Sequence, residues 1–245
     1  MKGGFNEVPG KIWRQGLFEE SSTQKHRIGA MRLLDDGRLF VYSKAGAALA
    51  AGECNQAAAT DAYSLECAVA VAAAVDDQSI TITYGAGTTA TANYYRDGFA
   101  ASVMPAYGIG NTYKINKHAA AVSGGSLSIH LYDKLLVALT VSSKITLVKH
   151  PQDGVIQSII TTPTGVITGV SPIAVTSAYY FWNQVRGTAQ VLGNGNWVVG
   201  DHLVPGGVAG ALMPMGAVTD PIVAYCLKDS TDTYGGFAML AIPGY

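Results

Sequence analysis

The hydrophobic positions of this chain recur mostly at every second residue, in short runs, and seldom at the three-to-four spacing of an amphipathic helix. In residues 126–132, Leu127, Ile129 and Leu131 alternate with Ser126, Ser128 and His130, which places the two sets on opposite faces of an extended backbone. Residues 31–34 and 38–43 flank Asp35-Asp36-Gly37, where Asp-Gly supplies the positive φ of a tight turn, so a hairpin is expected. Residues 65–75 alternate around Val69, Val71 and Val75, meet Asp76-Asp77 and continue into the alternating run 79–84, which predicts a second hairpin. The alanines of that run leave a helix open on propensity alone, as residues 56–63 do for a short helical turn. Segments 98–104 and 111–117 predict a third hairpin around Pro105 and Gly110, and 143–149 a further strand.

The strongest segment is Ala178-Tyr179-Tyr180-Phe181-Trp182-Asn183-Gln184-Val185-Arg186-Gly187. Four consecutive aromatics followed by alternating polar and apolar residues favour a buried strand that ends at Gly187, with its aromatics in the core. Beyond it, 188–192 and 196–199 are joined by Gly193-Asn194-Gly195, a hairpin signal. Short strands and glycine turns then continue to the C-terminus. The prediction is an all-β protein of sandwich-like or barrel-like units.

Residues 1–28 show neither period and read as an extended arm. Its Ile12, Trp13, Leu17 and Phe18 are expected to dock, either on the arm's own domain or on a neighbouring subunit. A Pro- and Gly-rich stretch from His150 to Pro172 suggests a boundary, giving a β-rich domain over 29–150 and a C-terminal β domain over 151–245. One composite domain over both stays open as the alternative.

Composition narrows the function. Of 245 residues, 13% are charged and 49% hydrophobic, which argues against disorder and fits a surface that packs against other subunits. The net charge of −1 divides into a mildly basic head, eight Lys or Arg against five Asp or Glu in residues 1–46, and a mildly acidic tail. Neither is dense enough for nucleic acid. Cys54, Cys67 and Cys226 lack the spacing of a disulfide framework or a zinc site and are expected as reduced thiols. The N-terminus lacks the apolar segment of a secretory signal, and the longest apolar run, 68–75, is too short to span a bilayer, so no membrane is expected and assembly in a cytoplasm is.

Candidate chemistry is sparse. No nucleophile elbow, Walker loop, dinucleotide fingerprint or zinc spacing occurs, and Gly108-Ile109-Gly110 reads as a turn. Asp35 and Asp36 are turn residues without further calcium-loop ligands. His26, His118, His130, His150 and His202 are scattered. A triad of Asp201 or Asp220, His202, and Ser177 or Cys226 would exist only if the fold gathered them. Trp197, beside Asn194, Asn196 and Asp201, is the aromatic best placed to stack on a sugar if it is exposed. No catalytic residue, cofactor or metal site is expected, and the chain is not read as an enzyme.

Two blocks carry a resemblance. The first runs Ser22-Thr23-Gln24-Lys25-His26-Arg27-Ile28-Gly29, Asp36-Gly37-Arg38-Leu39-Phe40-Val41-Tyr42, Lys44-Ala45-Gly46 and Leu49-Ala50-Ala51-Gly52. The second is 178–184 with Gly187, Ala189 and Val191. Together they resemble a family of structural proteins from the virions of tailed bacteriophages. The resemblance implies a capsid decoration, or cement, protein that is β-rich and often homotrimeric. Such proteins sit on the outer face of the head where major capsid proteins meet, and their N-terminal segment clamps neighbouring subunits. By position alone this assigns Ile12, Trp13, Leu17 and Phe18 to capsid contact. The alternative expectation is a head- or tail-fibre adhesin that binds a host-surface glycan.

Overall fold

The computed structural model describes residues 13–104, 108–159, 164–217, 220–232, 234–242 and 244. Among them sixteen strands follow one another with no helix: β1 (Met31–Leu33), β2 (Leu39–Ala45), β3 (Cys54–Gln56), β4 (Cys67–Val71), β5 (Ser79–Thr83), β6 (Phe99–Ser102), β7 (Thr112–His118), β8 (Ser126–Leu131), β9 (Lys144–Val148), β10 (Asp153–Gln157), β11 (Ile167–Val170), β12 (Tyr180–Leu192), β13 (His202–Pro205), β14 (Leu212–Pro214), β15 (Ala224–Cys226) and β16 (Gly235–Ala241). The all-β expectation holds. The helical options left open over 56–63 and 65–75 are not taken.

The chain divides into two compact units, Met1–Ala59 with Pro151–Tyr245, and Thr60–His150. This corrects the expected domains. Residues 29–59 do not fold with 60–150; they pair with strands from the C-terminal part, and 60–150 is an insertion. The joint at Pro151 carries proline and glycine signals, whereas Ala57-Ala58-Ala59-Thr60 carries none.

In the first unit β2 pairs with β10, β10 with β3, β3 with β11, β11 with β12, and β12 back with β2, so five strands close a ring. β10 runs parallel to β2, a pairing that requires the long connection in which the insertion is carried. Alternation sorts the residues. Val41, Ser43 and Ala45 of β2 share a face with Phe181, Asn183 and Val185 of β12, while Phe40 and Tyr42 share the other with Trp182. On the first face an apolar group at Ala45, Val155 and Phe181 and another at Val41, Cys54, Val170 and Val185 bracket a polar layer. There Ser43 Oγ donates to Gln152 Oε1 at 2.6 Å. Asn183 Nδ2 donates to Gln152 Oε1 at 3.2 Å and to the Thr168 carbonyl at 3.1 Å. Gln152 Nε2 donates to the same carbonyl at 2.7 Å, and Asn55 Nδ2 to Asn183 Oδ1 at 3.3 Å. All five residues are buried.

β12 does not stop at Gly187. Its first half pairs with β2 up to Arg186, and its second half, Arg186 to Leu192, pairs residue for residue with β16. The pairing with β2 slips by one residue between Gln184 and Arg186, as in a bulge, and Gly187 follows it with φ +86°. From β16 the sheet continues through β15 and β13 to β14. The hairpin expected between 188–192 and 196–199 is absent: Gly193-Asn194-Gly195 turns the chain away, and Trp197 forms a bridge with Ser230.

The inserted unit is a closed six-stranded barrel in the order β4-β5-β8-β7-β6-β9, antiparallel throughout and sealed by β4 against β9. Ile80, Ile82, Ile115, Leu127, Ile129 and Ile145 fill it, and β8 alternates between exposed and buried as its sequence predicts. Tyr95 donates its hydroxyl to Asp61 Oδ2 at 2.9 Å and shares a 2.8 Å hydrogen bond with the Tyr84 hydroxyl.

Candidate functional site

The arm residues separate. Ile12 lies outside the described residues. Leu17 is 6% exposed and joins Ile28, Leu34, Phe40, Tyr42 and Trp182 in one cluster, against which Trp13 packs. The outward face of β2 and β12 is aromatic and has to be covered, and residues 13–28 cover it. Gln15 locks the cover: its amide donates to the carbonyls of Glu19 (2.7 Å) and Tyr180 (2.9 Å), its Oε1 accepts from the Tyr42 hydroxyl (2.7 Å), and its carbonyl accepts from Trp182 Nε1 (3.2 Å). Ser21 adds a two-way backbone bridge to Tyr180, at 3.0 and 2.8 Å. The Arg32 guanidinium stands over the Trp13 and Trp182 rings at 5.3 and 5.8 Å, and burial pulls its pKa down. Of the four, Phe18 is described as exposed, at 54%.

Of the residues considered for a triad, Asp201, His202 and Cys226 lie on paired segments, the Cys226 N–H donating to the Asp201 carbonyl at 2.9 Å, but among the described residues no side-chain hydrogen bond joins His202 to Asp201, Asp220, Ser177 or Cys226. Asp201 Oδ2 accepts from the Val198 N–H at 2.8 Å, Asp220 Oδ2 from the Ala217 N–H at 2.9 Å, and the Ser177 hydroxyl points to the Gly46 carbonyl at 3.4 Å. His202 packs its ring edge-on against Tyr225 at 5.2 Å. Cys226 is buried, and burial raises its thiol pKa; the same cause pushes Cys54 up to about 12 and also raises Cys67. All three cysteines are free thiols, as expected. Among the described residues no group of His, Cys, Asp or Glu is placed to hold a metal ion.

Trp197 is 1% exposed, which removes it as a stacking platform. Its indole lies on Gly236, where a Cβ would press into the ring, and touches Gly193, where a Cβ would meet the Tyr234 carbonyl oxygen first. Among the described residues its Nε1 has no hydrogen-bond partner.

Two surfaces bear on function. On the inserted barrel, a bridge between Ala73 and Leu139, with Asp76 N–H to the Leu135 carbonyl and Leu135 N–H to the Asp77 carbonyl, brings 71–77 alongside 135–141. Val71, Val75, Leu136 and Val141 on these segments are 59%, 51%, 68% and 64% exposed. A Lys134–Asp76 ion pair at 3.5 Å belongs to the same segments. Four exposed aliphatic side chains on neighbouring segments, with a charged pair beside them, make this a candidate contact surface.

The second surface is a groove of about 640 Å³ on the first unit, walled by Phe18 and Phe237 and floored by Gln184, Thr188 and Gln190 of β12, with Asp36 and Arg38 at the β1–β2 turn. Phe237 is 53% exposed. Arg38 Nε donates to Asp36 Oδ2 at 2.7 Å. Desolvation acts to raise the Asp36 pKa, but hydrogen bonds from Arg38 and its charge outweigh it and hold the carboxyl below its usual range. The register placing Phe237 opposite Gln190 and Met239 opposite Thr188 is not readable from the sequence, because it depends on β16 pairing with a strand more than forty residues earlier. Comparison of the chain with family models, characterised proteins and solved structures finds no match.

Proposed function

We propose that this chain is a virion structural protein, a capsid decoration or cement protein that binds the outer surface of a phage head and bridges major capsid proteins. The observation that carries the reading is the exposed aliphatic cluster Val71, Val75, Leu136 and Val141 on the inserted barrel. A bridging protein needs contact area, and three copies in a homotrimer would turn a modest contact into high avidity. The two sequence blocks that resemble decoration proteins support the same reading, and so does the low charge of the chain. Trp13 and Leu17 are spent on covering their own unit, so we assign capsid contact to the barrel cluster and leave Phe18 as the arm's exposed apolar residue.

The test is binding of the purified chain to phage heads stripped of it. Leu136→Asp with Val141→Asp should abolish co-sedimentation with heads while leaving the melting temperature unchanged, since both side chains are exposed. Head binding by this variant at the wild-type level would overturn the assignment.

A further inference from the structure

We propose that the groove between Phe18 and Phe237 binds a neutral oligosaccharide. The two phenyl rings are each more than half exposed, on opposite parts of the chain, and line the same groove. Thr188 and Gln190 stand two residues apart on the exposed face of β12, about 7 Å from one another along the strand. Among the described residues, neither the Thr188 hydroxyl nor the Gln190 amide has a side-chain hydrogen bond, so both are available to a ligand. Phe237 lies directly across the strand pair from Gln190, which sets an apolar ring face beside an amide donor and acceptor.

That pairing selects the ligand. A pyranose presents an apolar face of C–H groups and a rim of hydroxyls, each both donor and acceptor. A purely apolar ligand would leave the Gln190 amide and the Asp36–Arg38 pair desolvated without replacement, at a cost in affinity. An anionic ligand gains little, because Arg38 is already bonded to Asp36 and the groove offers paired charges. The volume, about 640 Å³, lies inside the range of about 300–1,000 Å³ for ligand clefts and exceeds what one ring fills.

The experiment is a glycan array probed with the full chain, followed by saturation-transfer NMR with the retained sugars. Retention of neutral oligosaccharides is expected. Phe237→Ala and Gln190→Ala should each weaken binding tenfold or more, and Phe18→Ala should weaken it measurably. Each variant should keep the wild-type melting temperature, since all three side chains are exposed. No retention of any neutral glycan, preferential retention of sialylated or sulfated glycans, or binding unchanged in a Phe18→Ala, Phe237→Ala double variant would each overturn the proposal. Head binding is read separately, on the barrel cluster, so the two assignments stand or fall apart.

Discussion

Trp13 meets Trp182 edge to face, with ring centroids 5.0 Å apart and planes at 86°. The contact joins the first described residue of the arm to the middle of the strand around which the first unit is built. With buried Gln15, Leu17 and Ile28 it anchors residues 13–28 to the core of the first unit. Trp13→Ala should therefore destabilise the first unit by about 2–3 kcal/mol, through lost apolar burial and lost aromatic pairing. Urea denaturation followed by tryptophan fluorescence measures it. A cost below about 0.5 kcal/mol, the range of ordinary surface substitutions, would mean that the arm is not integral.

Asn183 is the hub of the polar layer in the five-stranded ring. Its amide satisfies Gln152 and Thr168 and accepts from Asn55, none of which reaches water. Asn183→Ala takes the partner from buried Asn55 Nδ2 and one of two donors from Gln152 Oε1 and from the Thr168 carbonyl, and the expected loss is about 2–3 kcal/mol, against less than about 0.5 kcal/mol for Thr188→Ala on the exposed stretch of the same strand. Denaturant midpoints of the two variants give the comparison.

Acid should weaken the inserted barrel through His150. Burial lowers its pKa from 6.5 to about 4, the Lys114 charge acts in the same direction, and Asp97 opposes both. The Phe99 ring lies 5.9 Å from the imidazole. Between those two values the unfolded chain binds the proton that the folded chain refuses, so stability falls as pH falls. The contribution is complete above about pH 6.5 and declines by up to about 1.4 kcal/mol per unit toward pH 4. His118, whose pKa burial also lowers, adds to the same limb. Its Nε2 accepts from the Tyr95 N–H at 2.9 Å, and its Nδ1 lies 2.7 Å from the Ala119 carbonyl. Thermal melts of wild type and His150→Gln over this range should diverge, with the variant less sensitive to acid. Parallel curves would contradict the assignment.

What the sequence discloses follows the range of the interactions. The hairpins at Asp35-Asp36-Gly37 and Asp76-Asp77, and the alternation of β8, were legible because turn chemistry and side-chain direction are local. The pairings of β2 with β12 and of β12 with β16 were not, since alternation says which face is buried and not which edge is matched. Gly187 illustrates the limit. A glycine after an apolar run reads as a strand end, yet here a side chain would lie 2.9 Å from the Cα of Arg38, and the residue lets β12 continue past a slip in register. The insertion was invisible at its first joint for the same reason: alanines at 57–59 give no turn signal. Polar Asn183 was read as one half of an alternation, and its burial requires the opposite wall of a closed ring.

The measurement that bears most directly on the proposed role is cryo-EM of tailed phage particles incubated with the purified chain. Decoration predicts density for both β units on the outer face of the head at junctions between major capsid proteins, with Val71, Val75, Leu136 and Val141 of the inserted barrel turned toward the capsid. Density for the chain at a fibre tip, or a head surface without it, would contradict the account.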